Sequence, residues 1–354
     1  MPLSHIRQFS FLIPGNYDDD DPVRGMEDTL RLFEQGEKLG YHTAFVRQRH
    51  LERGISSAAT FLAAASQRTK RIGLGTAVIQ LGYENPFRLA EDLATVDVLS
   101  HGRLNVGVSV GAPPFAQLIS AYTDPAPDAD YTHNRAEKLA AALLSAPLSP
   151  RTDAGNAAGA QVPRLRPFAK GLTDRLWYGG GSQSSARWAG QAGFNLLTGN
   201  IVSGEHTDDF LTAQAALINR FRHEWIHERE PRVALGRVIL PTDSADPQTR
   251  RRYKEFAAQR DKRTGTPHGD RRTLFLPDIV GTTEEIFETL ARDPVLPLVS
   301  EFRLELPYEF QAEDYRQIID DFAGVAFPSL QQTTASVVKA LPSEDNIFSV
   351  HTQT

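Results

Sequence analysis

Short runs of apolar residues alternate with segments of helical periodicity along most of the chain, and this alternation limits the possible folds more than any other feature. Between the runs, apolar residues recur at spacings of three and four, as at Met26, Leu30 and Phe33. Repeated strand–helix units of this kind predict a closed parallel sheet, a (β/α)8 or TIM barrel of the α/β class. The runs that read as its eight strands are residues 9–13, 43–46, 71–79, 104–110, 176–178, 194–198, 233–240 and 301–306.

Two segments interrupt this alternation. Residues 146–170 are rich in Pro, Gly, Ala and Arg and predict a long insertion before the fifth strand, while residues 331–354 predict a polar C-terminal tail. We therefore interpret residues 1–330 as a single barrel domain. Residues 260–272 are polar, contain Gly and precede the eighth strand. They are a candidate lid over the end of the barrel that carries active sites.

Charge and composition argue against several classes of function. The formal net charge is −6, which is unfavourable for a nucleic-acid partner because the phosphate backbone demands clustered Lys and Arg. The chain has no Cys, so thiol catalysis and thiolate metal sites are excluded. The sequence shows neither a secretory signal nor an apolar run of membrane-spanning length. It therefore predicts a cytoplasmic protein without a membrane partner.

Two short motifs resemble hydrolase signatures but lack their context. Residues 223–227 read H-E-x-x-H, yet the apolar stripe of the predicted helix there follows Phe221 and Trp225 instead of the His pair, so we predict no metal site. Residues 107–111 read G-x-S-x-G, the nucleophile elbow of serine hydrolases. Pro113 and Pro114 follow where that elbow requires a helix. A zinc or serine hydrolase remains an alternative.

The segment after the fifth strand suits an anion. Residues 179–185 read G-G-G-S-Q-S-S, in which three glycines allow a ligand to approach the backbone and serines begin a helix. The free N–H groups at such a helix start are suited to a phosphate. An ordinary serine N-cap after a tight turn fits these residues equally well.

Read together, several stretches resemble the bacterial-luciferase-like flavin-dependent monooxygenase superfamily. The most specific are RIGLGTAV at 71–78, NPFRLAED at 85–92 and DVLSHGRL at 97–104, and residues 176–186 are similar to that family's flavin-phosphate loop. Residues 280–285 resemble its entry to the last strand–helix unit. The resemblance covers nearly the whole barrel. It implies a TIM barrel with FMN at the carboxyl ends of the strands, where this fold keeps its active sites.

The resemblance also assigns residues to the flavin. It places Ala77 and Val78, joined by a cis peptide bond, against the isoalloxazine ring, and Ser109 near the reactive edge of that ring. Members of this family receive reduced FMN from a separate flavin reductase and use it with oxygen to oxidise a small organic molecule. A homodimer is an expectation at the level of the family. The residues assigned to the FMN phosphate are Gly180, Gly181, Ser182 and Ser185.

The sequence departs from luciferases at two positions. Luciferases carry Glu-His-His at the end of strand two, where this chain has Gln48, Arg49 and His50, and they place a phosphate-binding Arg where Val110 stands. We predict that His50 transfers protons, because the pKa of a histidine lies near neutrality, although a hydrogen-bonded structural His fits equally well. Arg49 is permanently charged and would bind an anionic substrate or stabilise negative charge.

The leading prediction is therefore FMN-dependent monooxygenation of a small organic substrate. The nearest alternative is deazaflavin-dependent hydride transfer on the same barrel. A second alternative is a flavin-binding partner subunit without activity, which fits the loss of the strand-two His at Arg49.

Overall fold

The computed structural model describes residues 3–119, 122, 130–149 and 159–327. The strands of this part of the chain are β1 (Gln8–Ile13), β2 (Thr43–Val46), β3 (Gly73–Gln80), β4 (Leu104–Ser109), β5 (Leu176–Gly179), β6 (Asn195–Thr198), β7 (Ile201–Ser203), β8 (Val233–Pro241), β9 (Thr273–Phe275), β10 (Ile279–Gly281) and β11 (Glu301–Glu305). The helices are α1 (Pro22–Leu39), α2 (Ala58–Arg68), α3 (Pro86–Leu99), α4 (Ala116–Ile119), α5 (Asn134–Leu143), α6 (Gln183–Ala192), α7 (Phe210–His223), α8 (Pro247–Asp261), α9 (Thr283–Ala291) and α10 (Ala312–Ala326).

Eight strands close into a parallel barrel in the order β1, β2, β3, β4, β5, β6, β8, β11 and back to β1. The pairing of β6 with β8 sets Leu196 opposite Val233 and closes the ring. Because every neighbouring pair is parallel, all eight carboxyl ends lie on one rim, which we call the barrel mouth. The predicted (β/α)8 barrel is confirmed, with each predicted strand present and its ends shifted by two residues at most.

Helices cover the outside of the sheet and bury its outward-facing apolar residues. Phe302 of β11 stacks on Phe322 of α10 with ring centroids 5.8 Å apart, and both side chains are fully buried. Helix α1 also packs on the sheet, and its Gly36 lies against the ring of Phe11 in β1. A Cβ atom at position 36 would overlap this ring. The close approach of α1 to the sheet therefore depends on glycine at position 36.

Local signals in the sequence set the ends of several helices. Helix α1 begins at Pro22 after Asp21, whose side chain accepts from the N–H of Arg24, and it ends before Gly40 at a φ of 91°. Helix α9 begins with a capping box in which Thr282 and Glu285 bond each other's backbone N–H groups.

The polar stretch after β8 contains structure that the periodicity did not predict. Helix α8 buries Tyr253 and Phe256 and is otherwise largely polar, so it has no apolar stripe to detect. Its start is marked by the N-cap Asp246 and by Pro247. The candidate lid, residues 260–272, begins inside α8 and runs into β9, which pairs antiparallel with β7 just after β6.

One helix ends earlier than its predicted extent. Helix α7 stops at His223, so Trp225 and His227 lie outside it and the H-E-x-x-H residues do not share a helical face. Within the described residues, no helix has the length and apolar character needed to cross a membrane. The predicted tail, residues 331–354, and residues 150–158 of the predicted insertion lie outside the described residues.

Replacing Gly36 with Ala should destabilise the protein by up to about 2 kcal/mol, because the added methyl group overlaps Phe11 and overpacks the contact at a cost of about 1–3 kcal/mol. The gain in helix propensity, about 1 kcal/mol, has the opposite sign and offsets part of this cost. Urea unfolding at neutral pH measures the change.

The control is a double-mutant cycle with Phe11→Leu, which removes the ring that the methyl group meets. The two substitutions should couple, the double variant losing less stability than the sum by roughly 0.5–3 kcal/mol. Strict additivity would show that the Phe11 contact does not explain the glycine.

Candidate active site

The barrel mouth brings together residues that are far apart in the sequence. Gln48, Arg49 and His50 follow β2, Ala77 and Val78 lie near the end of β3, and Ser109 ends β4. Gly180, Gly181 and Ser182 follow β5 and lead into α6, which contains Ser185. All the residues predicted to form the site are thus at the end of the barrel at which TIM-barrel enzymes carry theirs.

Strand β3 is irregular where it meets the mouth. Its register against β4 shifts between Thr76 and Ile79, and the peptide bond between Ala77 and Val78 is cis, as the family resemblance implied. Ala77 and Val78 are partly exposed and form an apolar floor on the inside of the mouth. The buried residues beneath this floor are Trp177, Leu197 and Ala234.

The ends of β4 and β5 adjoin the apolar floor. Ser109 is partly exposed and pairs with Gln80 across the sheet. A Cβ atom on Gly179 would lie 2.9 Å from a methyl group of Val78, so glycine allows β5 to approach the floor. Val110, at the position of the luciferase Arg, directly follows β4. In the neighbouring β5, burial raises the pKa of Tyr178 to about 12.

The loop after β5 ends in a capping box. Ser182 Oγ accepts from the N–H of Ser185 at 3.2 Å, and Ser185 Oγ accepts from the N–H of Ser182 at 3.1 Å. A Cβ atom on Gly180 would lie 2.9 Å from Leu196 Cδ1, so the loop is seated against β6. Both the anion-site and the N-cap interpretations of the serines therefore describe the same local geometry.

An acidic side chain reaches the start of α6. Glu205 Oε1 accepts from the N–H of Gln183 at 3.3 Å, in the first turn of the helix. Glu205 is exposed, so it can leave this position at little cost. The backbone of Ser203 in β7 donates to Gly181 O at 2.6 Å and fixes the loop from the other side. A phosphate bound here would have to replace the Glu205 carboxylate.

Arg49 lies between a tyrosine and a surface carboxylate. Its Nη2 donates to the hydroxyl oxygen of Tyr308 at 2.6 Å, and Arg47 Nη1 donates to the same oxygen at 2.6 Å. Both guanidinium groups also lie over the Tyr308 ring, at 5.0 and 4.8 Å from its centroid. Glu52 is 3.7 Å from Arg49. Arg49 therefore contacts Tyr308 more closely than it contacts the surface carboxylate of Glu52.

A buried carboxylate links this pair to the inside of the barrel. Glu305 at the end of β11 accepts from Arg47 at 3.1 Å and from Arg303 at 2.9 Å. Burial raises the pKa of a carboxyl group, but Arg303 and Arg47 outweigh it and hold the pKa of Glu305 below its ordinary value. This cluster was not predicted from the sequence. The alternation of Glu301, Arg303 and Glu305 with apolar residues was a usable signal, since such a strand turns its charged face into the barrel.

His50 belongs to a separate polar cluster. Its ring stacks on Tyr83 with centroids 4.0 Å apart, and its Nε2 lies 3.0 Å from the amide nitrogen of Gln48. The amide nitrogen of Gln48 also donates to Glu84 Oε1 at 2.7 Å. Burial lowers the pKa of His50 and raises the pKa of Glu84.

The two hydrolase motifs do not form hydrolase sites in the described residues. His223 is the last residue of α7, and His227 Nε2 lies 2.9 Å from the carbonyl oxygen of Gln191. No three metal-binding side chains come together in this part of the chain. After Gly111, no helix begins before Ala116, so Ser109 is not on a strand–helix elbow.

The residues at the mouth fit a flavin. The partly exposed floor of Ala77 and Val78 offers apolar contact to a planar ring system, and Gly179 keeps the end of β5 clear of side-chain atoms. The loop from Gly180 to Ser182 follows directly after β5, with the N–H groups of a helix start beside it. A phosphate bound here would replace the Glu205 contact and the hydrogen bonds that Ser182 and Ser185 make to each other.

Comparison with known proteins gives the same family over most of the chain. The family model described as "Luciferase-like monooxygenase" matches residues 8–292. The chain is 36% identical over 107 residues to 4-hydroxyprotoasukamycin monooxygenase of Streptomyces nodosus subsp. asukaensis, which is 30% of this chain and 29% of that protein. It is 36% identical over 105 residues to limonene 1,2-monooxygenase of Rhodococcus erythropolis, 29% of this chain and 27% of that protein. The matches thus span less than a third of these relatives.

Solved structures share the fold at low sequence identity. The monooxygenase RslO1 from Streptomyces bottropensis has a TM-score of 0.67 at 18% identity and covers 91% of this chain and 99% of its own. The oxygenating constituent of 3,6-diketocamphane monooxygenase from Pseudomonas putida, in complex with FMN, has 0.63 at 14%, covering 91% and 98%. An F420-dependent secondary alcohol dehydrogenase with an F420-acetone adduct has 0.61 at 15%, covering 90% and 99%. At these identities the likeness shows the fold alone.

Glu305→Gln should lower the free energy of unfolding at pH 7.5 by about 3–5 kcal/mol, because it leaves Arg47 and Arg303 without their shared buried anion. The folded-state pKa of Glu305 is lowered, so its ionised form stabilises the fold above its ordinary pKa, and this stabilisation is lost as the pH falls through the lowered value. The two proteins should therefore converge in acid. Urea unfolding as a function of pH measures both effects.

Glu52→Gln is the matched control, because it removes the exposed carboxylate 3.7 Å from Arg49. This variant should change stability by no more than about 1 kcal/mol. Equal effects of the two substitutions would contradict the role given to Glu305.

Proposed function

Because the chain belongs to the luciferase-like monooxygenase family, a family of oxidoreductases, we propose that it is a monooxygenase that uses reduced FMN and oxygen to oxidise a small organic molecule. The observation that carries this proposal is the arrangement of the mouth. An apolar floor at Ala77 and Val78 in β3 and a glycine–serine loop at Gly180–Ser182 after β5 lie at the same end of the barrel on either side of β4, as a flavin ring and its phosphate require.

In this proposal the ends of β3, β4 and β5 hold the cofactor. Ala77 and Val78 support the ring system, and Ser109 lies near its reactive edge. Reduced FMN, when bound, supplies the electrons that activate oxygen. The proposed phosphate ligands are Gly180, Gly181, Ser182 and Ser185.

Arg49 and His50 are the proposed catalytic residues. Arg49 supplies a fixed positive charge that binds an anionic substrate or stabilises negative charge formed in the reaction. Tyr308 orients it through the 2.6 Å hydrogen bond. His50 holds or exchanges a proton at the mouth, since it is the histidine of the segment after β2.

We also propose a separate reductase as the source of reduced flavin. The P. putida structure with FMN is described as an oxygenating constituent, which supports a division of labour of this kind. Deazaflavin is the rival cofactor, since the F420-dependent dehydrogenase shares the fold. A partner subunit without activity is the rival role, because Arg49 replaces the catalytic His of luciferases.

Anaerobic titration with reduced FMN and with reduced deazaflavin, followed by admission of oxygen, tests the proposal. Tight binding of reduced FMN and a flavin reoxidation course that differs from that of free flavin would support it. Preference for the deazaflavin would favour hydride transfer. FMN binding without any effect on its reaction with oxygen would favour the inactive partner subunit.

The double variant Ser182→Ala/Ser185→Ala should weaken FMN binding at least tenfold. Each hydroxyl lost is a hydrogen bond to a charged group, worth roughly 1.5–3 kcal/mol, and about 1.4 kcal/mol corresponds to a factor of ten. Fluorescence titration with FMN measures the change. Riboflavin, which lacks the phosphate, is the control ligand, and its affinity should stay nearly constant. Equal losses for both ligands would mean that the serines serve only as the helix cap.

Glu205→Gln should act in the opposite direction. It removes the negative charge that contacts the first turn of α6, so FMN should bind more tightly while riboflavin is unaffected. Weaker FMN binding by this variant would argue against a phosphate at this helix start.

Arg49→Ala should lower turnover by one to a few orders of magnitude, given the roughly 10²–10³-fold cost of removing one electrostatic donor. Arg49→His should not restore it, because the shorter ring cannot reproduce the guanidinium contact with Tyr308. Arg53→Ala is the matched control, since Arg53 pairs with exposed Asp19 at 3.1 Å. Steady-state assays compare the three variants, and wild-type activity in Arg49→Ala would remove Arg49 from the proposed site.

A further inference from the structure

The amide of Gln48 has a fixed orientation. Gln48 is the residue two positions after β2, and it is buried, with 3% of the residue exposed. The backbone N–H of Ala58, the first residue of α2, donates to Gln48 Oε1 at 3.1 Å. A backbone N–H can only donate, so the amide oxygen must face α2. The amide nitrogen is therefore the end that faces His50 and Glu84.

Both hydrogens of that nitrogen have acceptors. Gln48 Nε2 lies 2.7 Å from Glu84 Oε1 and 3.0 Å from His50 Nε2. An amide NH2 group has two donor hydrogens and no acceptor. His50 Nε2 must accordingly accept a hydrogen bond, and a ring nitrogen that accepts carries no proton. The proton of the neutral ring is then on Nδ1.

We propose that Gln48 is a positioning residue that holds His50 neutral, as the Nδ1–H tautomer. The inference about the role of His50 at the flavin rests on the proposed function, whereas the tautomer follows from the Gln48 contacts. With the proton on Nδ1, that nitrogen is the only hydrogen-bond donor of the His50 ring. It can accept a proton at Nε2 only if the contact with Gln48 breaks.

The surroundings of the ring favour the neutral form. A charged ring would set an Nε2–H group against the NH2 of Gln48, two donors facing each other. The Glu84 carboxylate, which would stabilise a charged ring, is separated from it by the Gln48 amide. Tyr83 stacks on one face of the His50 ring, with the two ring centroids 4.0 Å apart. The guanidinium of Arg135 donates to the backbone carbonyl oxygen of Glu84. Burial lowers the pKa of His50, in agreement with this geometry.

A double substitution should move the His50 proton from Nδ1 to Nε2 without changing the net charge of the two exchanged side chains. In Gln48→Glu/Glu84→Gln the amide and carboxylate exchange places, so the net charge and the side-chain lengths are kept. The carboxylate at position 48 can still accept from Ala58 and now faces His50 Nε2, which must carry a proton to donate to it. Glu84→Gln alone is the matched control, because Gln48 keeps its contact with His50.

Two-bond ¹H–¹⁵N correlation spectra of the ¹⁵N-labelled full chain report the tautomer and charge of each of the 10 histidines. The His50→Asn variant identifies the His50 signals by their loss. We expect the Nδ1–H tautomer at pH 7.5 in the wild type and in Glu84→Gln. In the double variant we expect an Nε2–H ring with a pKa above its ordinary value, since a carboxylate now contacts it.

An Nε2–H or charged His50 in the wild type at pH 7.5 would overturn the proposal, and so would an unchanged tautomer in a double variant with a wild-type melting curve. If the double variant does not fold, the wild-type and Glu84→Gln spectra decide. The measurement needs no flavin. Failure of reduced FMN to shift the His50 signals would therefore count against the proposed function, while the tautomer result would stand.

Discussion

The hydrogen bonds between β6 and β8 close the parallel sheet into a barrel, and the rest of the structure depends on this closure. They set Leu196 opposite Val233, after the chain has formed six of the eight barrel strands. Once the ring is closed, parallel pairing places every strand's carboxyl end on one rim. Arg49, Ser109 and Glu305 are far apart in the sequence and share this rim only through that closure.

The inside of the ring imposes a second constraint, since side chains that point inward must share a narrow space. Glycine residues at inward-facing positions provide part of this space. Gly75 leaves room for the ring of Phe45, and Gly236 leaves room for the Glu305 carboxylate. Glu305 is buried in this space, where a carboxylate persists only with cationic partners, and Arg47 and Arg303 supply them. The charged cluster and the glycines therefore depend on one another.

The barrel could be predicted from the sequence because its strands are short, mostly apolar runs that alternate with segments of helical periodicity. Helix α8 could not, since it is largely polar and leaves no periodic signal, and the pairing of β7 with β9 joins segments about seventy residues apart. The cis bond at Ala77–Val78 came from the family resemblance, as no local pattern marks it.

In the candidate site too, contacts between adjacent residues could be predicted from the sequence, and contacts between distant residues could not. The Ser182–Ser185 loop is encoded by adjacent residues and was visible in the sequence. The contact of Glu205 with α6 joins two loops, and the tyrosine shared by Arg47 and Arg49 comes from the segment after β11. Such contacts depend on the closed ring, so a single sequence does not reveal them.

The mouth divides into two parts that differ in charge. The ends of β3 and β5 present Ala77, Val78 and glycines, whereas the segments after β2 and at the end of β11 present Arg47, Arg49 and Glu305. In a site of low dielectric constant, fixed charges act more strongly on a bound molecule than they do in water. Luciferases have a titratable ring where this chain has Arg49, and the proposed Gln48 contact holds the remaining histidine neutral. Arg49 thus presents a permanent cation to the mouth, whereas His50 takes up a proton at Nε2 only when its contact with Gln48 breaks.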